Sequence, residues 1–204
     1  GTTGNPKGVL LTHENLLSTV QAFDNGGFAI DAEDSMLLVL PLFHIYGLNA
    51  IMGTCMYNGA TMYLQPRPEP EPMLRAIDDN DITTFAGVPA MYTMMFREYR
   101  ENPDEYDVSS LESVTCAAAP LADATRREIM AEWDVPMVEG WGMTETSPAG
   151  TVEPSRGVRK AAGCVGPVLD EIEIKLVDPD TRETKVTTDQ LEPFPDDDLD
   201  FEDE

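Results

Sequence analysis

From Met36 to Tyr57 the chain carries no Asp, Glu, Lys or Arg. That is a severe constraint in a 204-residue chain with 38 acidic residues, 13 basic residues and a formal charge of −25. An uncharged stretch of this length belongs either in a lipid bilayer or inside a folded domain. Pro41, His44, Gly47, Asn49 and Gly53 interrupt the apolar pattern, and no basic flank follows. Both features argue against a bilayer helix, so no stable membrane insertion is expected. The run reads instead as a buried strand over Met36–Leu40, a loop, and a buried helix over Leu48–Tyr57. Five apolar residues in succession mark a strand covered on both faces, as in a parallel sheet between helices.

The rest of the chain repeats that alternation. Thr12 is placed to cap a helix bearing Leu16, Val20 and Phe23 on one face. Ala60–Leu64, Ile82–Phe85 and Leu111–Ala118 read as strands, and Met137 and Val138 open another. Between them lie a helix carrying Met73 and Ile77 with Pro72 in its first turn, one carrying Met91, Met95 and Tyr99, and one over Leu121–Trp133. The expected fold class is α/β, a mostly parallel sheet flanked by helices. After about Ser147 the pattern changes. Gly and Pro become frequent, and Glu171–Val177 alternates as a half-exposed, antiparallel strand would. From Asp189 to Glu204 nine of sixteen residues are acidic and none is basic, which reads as a solvated, disordered tail. The expected division is an α/β part over 1–147, the start of a β-rich subdomain over 148–185, and a flexible acidic segment over 186–204.

The charge excludes a nucleic-acid binder acting through general phosphate attraction and disfavours docking on an anionic membrane. Only four of the 13 bases are Lys. An acid-rich, Lys-poor surface is expected of a protein from a salt-loving cell, where concentrated salt screens self-repulsion. Cys55, Cys116 and Cys164 are far apart and contain no C-x-x-C, so neither a disulfide framework nor a zinc site is indicated. A reducing cytoplasm is the expected setting. The chain opens at Gly1 inside a motif, with no Met, and is expected to be an internal piece of a longer protein.

Four segments carry candidate chemistry. Gly1-Thr2-Thr3-Gly4-Asn5-Pro6-Lys7-Gly8 combines glycines that let backbone N–H groups approach an anion, hydroxyl donors and one cation. It lacks the spacing of a Walker A loop. Its natural ligand is a polyphosphate, and the alternative is a Gly/Pro turn before a capped helix. Glu139-Gly140-Trp141-Gly142-Met143-Thr144-Glu145-Thr146 follows a strand. Trp141 could stack on a base, Thr144 could donate to a phosphate, and Glu145 could hold a magnesium ion. The alternative is a turn with a packed Trp. Cys116-Ala117-Ala118-Ala119-Pro120-Leu121 ends another strand in small residues, which would let a flat ligand lie on the backbone or serve tight packing. Open α/β sheets place ligands where strands end. His44, lone after an apolar run, is by itself more often a core residue than a catalyst.

Taken together these segments resemble one family. Gly1–Val9 is similar to the phosphate-loop signature of the AMP-forming adenylating enzymes, which include acyl-CoA synthetases, firefly luciferase and peptide-synthetase adenylation domains. Pro41–Leu48, Ala117–Leu121, Gly140–Thr146 and Gly163–Val168 resemble further family motifs in the family's order. The resemblance covers roughly 1–180. It implies activation of a carboxylic acid by ATP to an acyl-adenylate and pyrophosphate, with transfer of the acyl group to coenzyme A. It implies that Thr2, Thr3, Gly4 and Lys7 hold the β- and γ-phosphates. Ala117, Ala118, Ala119, Gly140, Trp141 and Gly142 would border the adenine, where the family usually has Tyr at the aromatic position. Thr144 would contact the α-phosphate and Glu145 would ligate Mg2+. His44 would gate or orient in the carboxylate pocket, with Gly87, Val88 and Pro89 along its wall.

Such a reaction brings anion against anion, so cations and donors must neutralise the developing charge. Lys7, His44, Thr144 and Glu145 are therefore the catalytic candidates. His13, at an exposed helix start, reads as structural, and Met91, Met94 and Met95 read as core. The resemblance also implies a ribose-binding Asp, an Arg and a C-terminal domain with a reactive Lys, none of which this sequence contains. The expectation is part of an acyl-CoA synthetase, inactive alone, with a fatty acid as substrate. An aryl-CoA ligase, a peptide-synthetase adenylation domain and a non-catalytic nucleotide-binding remnant are the alternatives. Chain length of the acid and oligomeric state are not legible.

Overall fold

A computed structural model describes residues 4–25, 30–154, 163–170 and 172–190. The acidic run beyond residue 190 lies outside the described residues, as do Thr2 and Thr3. Six strands form the main sheet in the order β2-β1-β3-β4-β5-β6. These are β1 Ser35–Leu38, β2 Thr61–Leu64, β3 Thr84–Gly87, β4 Ser113–Ala117, β5 Met137–Trp141 and β6 Thr151–Val152. The first five pair in parallel and β6 runs antiparallel on the edge of β5. The expected fold class holds. The change of pattern near Ser147 coincides with this reversal of strand direction.

The helices are α1 His13–Asn25, α2 Thr54–Asn58, α3 Pro70–Asp79, α4 Pro89–Glu101 and α5 Asp123–Trp133. Thr12 caps α1 reciprocally: Asn15 N donates to Thr12 Oγ1 at 3.1 Å and Thr12 N donates to Asn15 Oδ1 at 3.0 Å. Two orphan backbone donors are thereby satisfied. α3 opens at Pro70, so Pro72 stands in its first turn, as expected. Met36, Phe85, Val114 and Met137 from the strands, with Leu74, Ile77, Met95 and Ile129 from the helices, are fully buried. Met94 is exposed and turns away from that core.

The uncharged run settles as expected, with one difference in winding. Tyr46–Gly53 is a π-helix and only Thr54–Asn58 is α-helical. π-Turns are uncommon and concentrate at functional sites. Among the described residues no helix is long and apolar enough to cross a membrane. A second correction falls on 172–177, the described part of the stretch read as a strand. Only Lys175–Val177 is a strand, β7, paired antiparallel with β8, Thr184–Thr187. All three of its residues are exposed, not half-exposed, and among the described residues no layer packs over the hairpin.

Beneath the C-terminal end of the sheet lies a buried ionic cluster that the sequence did not announce. Arg126 Nη2 donates to Met137 O at 2.7 Å and to Glu153 Oε2 at 3.3 Å. Glu139 N donates to Glu153 Oε2 and Glu153 N donates to Glu139 O, both at 2.8 Å. These bonds tie α5 to β5 and to the segment after β6. Removing one partner from such a set would leave uncompensated buried charge.

Candidate active site

In a parallel sheet every strand delivers its following loop to the same edge. At that edge, around the ends of β4 and β5, is a cavity of ≈ 320 Å3. Its wall includes His44, Ala117, Ala118, Gly140, Trp141, Gly142, Thr144 and Glu145. Residues from three separate motifs, up to about a hundred positions apart, therefore meet in one place. Ala117 ends β4, and Ala118 adopts φ 72, a left-handed turn that bends the chain sharply after the strand. β5 then carries Gly140 and Trp141 alongside it.

Beyond β5 the chain folds back on itself closely. A Cβ on Gly142 would lie 1.3 Å from Pro148 O, and one on Gly150 would lie 2.6 Å from the Trp141 ring. Only glycine permits this approach. The loop so formed ends outward in the short 3-10 turn Thr144–Thr146, with Thr144 and Glu145 exposed at the cavity mouth. Among the described residues neither side chain has a hydrogen-bond or ion-pair partner. A free carboxylate beside a free hydroxyl, with a half-exposed indole on the same wall, is a donor set suited to Mg2+ and a nucleotide phosphate.

His44 is exposed, and its Nδ1 accepts a hydrogen bond from Tyr46 N at 3.2 Å. In the neutral ring the proton is then on Nε2, which orients the imidazole without consuming its donor. Tyr46, Ala50, Thr115 and Thr151 also line the wall and were not read from the sequence as site residues. Period-2 alternation could have found Thr115, because it shares a strand face with Ala117. Tyr46 stands two residues after His44, whereas nothing local marks Thr151. Among the described residues the Tyr46 hydroxyl and the Oγ1 atoms of Thr115 and Thr151 are buried without hydrogen-bond partners. Burial, helped by the nearby Cys116, pushes the Tyr46 hydroxyl above the usual phenol range, so it remains a neutral donor.

Other expected site residues lie elsewhere. Gly87 ends β3 and Val88 precedes α4 at Pro89, all three outside the cavity wall. A Cβ on Gly87 would meet the Phe85 and Tyr92 rings, so its smallness serves packing. Ala119 is exposed and not in the wall, because the turn at Ala118 carries it away. Gly4 and Lys7 are exposed and also outside the wall.

A parallel sheet with glycine-rich and hydroxyl-bearing loops converging on a cavity at its C-terminal edge defines a nucleotide-binding α/β protein. The AMP-binding enzyme family matches residues 1–189, and the chain belongs to that family. The 4-coumarate--CoA ligase 1 of Petroselinum crispum is 34% identical over 192 residues, which are 89% of this chain and 34% of the relative. The 4-coumarate--CoA ligase 2 of Oryza sativa subsp. japonica is 37% identical over 190 residues, 89% of this chain and 33% of the relative. The chain thus spans about a third of the length of the curated relatives it matches. Among solved structures, ATP-bound MatB from Rhodopseudomonas palustris superposes with a TM-score of 0.80 at 28% identity, covering 91% of this chain and 36% of that one. A long-chain-fatty-acid-CoA ligase from Archaeoglobus fulgidus reaches a TM-score of 0.82 at 22% identity, covering 91% and 38%, a likeness of fold alone.

Proposed function

We propose that this chain is the nucleotide- and acid-binding centre of an ATP-dependent acid–CoA ligase. One observation carries the reading: a single cavity gathers His44, the Ala117–Ala118 turn, Trp141 and the Thr144–Glu145 turn. In the proposed reaction an oxygen of the acid's carboxylate attacks the α-phosphorus of ATP. The bond to pyrophosphate breaks and an acyl-adenylate forms. The thiol of coenzyme A then attacks the acyl carbon and AMP leaves. Trp141 would border the adenine, Thr144 would donate to the α-phosphate, and His44 would orient the carboxylate. Magnesium bound at Glu145 would offset phosphate charge. Thr2, Thr3, Gly4 and Lys7 are assigned to the outer phosphates by resemblance alone, and a catalytic Lys7 requires its segment to reach the cavity.

The inner wall bears on the acid's class. Phe23, Ile45, Tyr46 and Ala50 supply apolar and aromatic surface, as a fatty chain would need. The three unpartnered buried hydroxyls favour a different occupant, an aromatic acid bearing hydrogen-bonding groups. The relatives named as 4-coumarate ligases support the same choice. The experiment is acid-dependent pyrophosphate release by the full-length protein, with fatty acids set against aromatic acids with and without ring hydroxyls. Preference for hydroxylated aromatic acids supports the aryl reading, preference for fatty acids overturns it, and no release with any acid overturns the ligase reading. The 204 residues alone are expected to give no acid-dependent ATP–pyrophosphate exchange, and robust exchange would contradict the view that further residues complete the site.

A further inference from the structure

We propose that Asn49 is a positioning residue that holds the Thr144–Glu145 turn at the cavity mouth, an inference that rests on the ligase reading. Thr144 and Glu145 make no side-chain hydrogen bonds among the described residues, so their backbone alone places them. Within the turn, Thr146 Oγ1 donates to Met143 O at 3.0 Å and accepts from Met143 N at 3.1 Å. Those bonds close the turn on itself but anchor it to nothing outside. Its far end is Ser147, which is 3% exposed, adopts φ 68 and donates its N–H to Thr144 O. The Ser147 carbonyl accepts from Asn49 Nδ2 at 2.7 Å, across 98 positions of sequence.

Asn49 is itself 6% exposed and sits within the π-helix. Its second amide hydrogen goes to Leu16 O of α1 at 3.1 Å, so both donors of the amide are used. Room for this amide is made by Gly53, where a Cβ would lie 2.8 Å from Asn49 Oδ1. The same π-helix presents Tyr46 and Ala50 to the cavity. One amide therefore sets the spacing between the wall that would face the acid and the turn that would face the α-phosphate and Mg2+.

The test uses the full-length protein and three readouts: adenylation rate, KM for the acid, and amide hydrogen exchange. In Asn49→Ala the adenylation rate is expected to fall roughly a hundredfold, the scale of a small misplacement of reacting groups. The magnesium concentration for half-maximal rate should rise while KM for the acid stays within about twofold, because Tyr46 keeps its place. Exchange at Thr146 and Ser147 should accelerate roughly tenfold while amides of β4 keep their native rates. Gly53→Ala retains the amide and only crowds it, so it should reproduce the pattern, and it decides the matter if Asn49→Ala does not fold. A folded variant with native rate and native magnesium dependence overturns the proposal, as does acceleration spread evenly over β1 and β4. If the native protein releases no pyrophosphate with any acid, the ligase reading fails separately, and the exchange data still decide whether Asn49 holds the turn.

Discussion

Thr115 and Glu145 both face the cavity but are held there by different means. Thr115 lies in β4 between paired neighbours, is 5% exposed, and its carbonyl accepts from the buried Tyr92 hydroxyl at 2.8 Å. That hydroxyl also reaches Phe85 O at 3.1 Å, so one side chain pins two adjacent strands behind the cavity floor. Glu145 lies on a three-residue turn, exposed, with its side chain unbound. On the floor, the interactions that shape the pocket are also those that stabilise the sheet. On the rim, the reactive groups contribute little to stability and are free to meet a ligand. Changes to the floor should therefore move selectivity and stability together, and changes to the rim should move rate alone.

Salt is expected to have the largest effect, and it should act on the sheet as a whole. With 38 acids against 13 bases, repulsion opposes compaction until it is screened, and at 1 M salt the screening length is only about 3 Å. Circular dichroism should show the strand and helix signal in molar salt and its loss in dilute buffer. Equal melting temperatures in both would remove charge repulsion as the limit on folding.

Glu145→Gln in the full-length protein comes next. It keeps size and hydrogen bonding but removes the charge assigned to magnesium. The adenylation rate should fall roughly a hundredfold or more, with no change in melting temperature. A near-native rate at modest magnesium would take Glu145 out of the site, and a large loss of stability would erase the distinction between rim and floor.

Thr115→Val probes the floor. The replacement is nearly isosteric and deletes a buried hydroxyl that has no partner. Selectivity for ring-hydroxylated over plain acids should drop roughly tenfold, while stability stays level or rises. Unchanged selectivity with a higher melting temperature would make Thr115 a packing residue only.

The smallest effect concerns Cys55, buried away from the cavity. Burial first, then the Asp34 charge, pushes its thiol from 9.0 up to about 12. A raised folded-state pKa favours the protonated thiol, so its contribution to stability is complete below pH 9 and fades as pH climbs toward 12. Stability should therefore decline gently over that alkaline range. At pH 8 a thiol reagent should label the half-buried Cys164 first and reach Cys55 only on unfolding. Rapid labelling of Cys55 in the native protein would show the packing around α2 to be looser than its burial implies.

Hydrophobic period and turn chemistry, both local properties, made most of the fold legible. The strand at Met36, the cap at Thr12 and the helix ending at Trp133 all stand where the pattern placed them. The site was legible where a motif coincided with the end of a strand, as at Ala117 and Trp141. Gly87, Val88 and Pro89 stand outside this cavity's wall; a small residue after a strand serves packing as readily as binding, and at Gly87 an added Cβ would meet the Phe85 and Tyr92 rings. The terminal hairpin shows the same limit. Leu176 and Val177 end an alternating stretch, yet among the described residues both remain exposed.

The sequence by itself determined that this is an α/β chain and that its uncharged run is interior to the domain. Each follows from contacts between residues a few positions apart or from the transfer free energy of a side chain. Only the tertiary structure decided that Tyr46, Thr115 and Thr151 share a wall, that Arg126 lies between Glu139 and Glu153, and that Asn49 reaches Ser147. Those pairings depend on how the loops close and on which buried polar atoms find partners. A buried donor must be satisfied, but its own sequence does not say by whom.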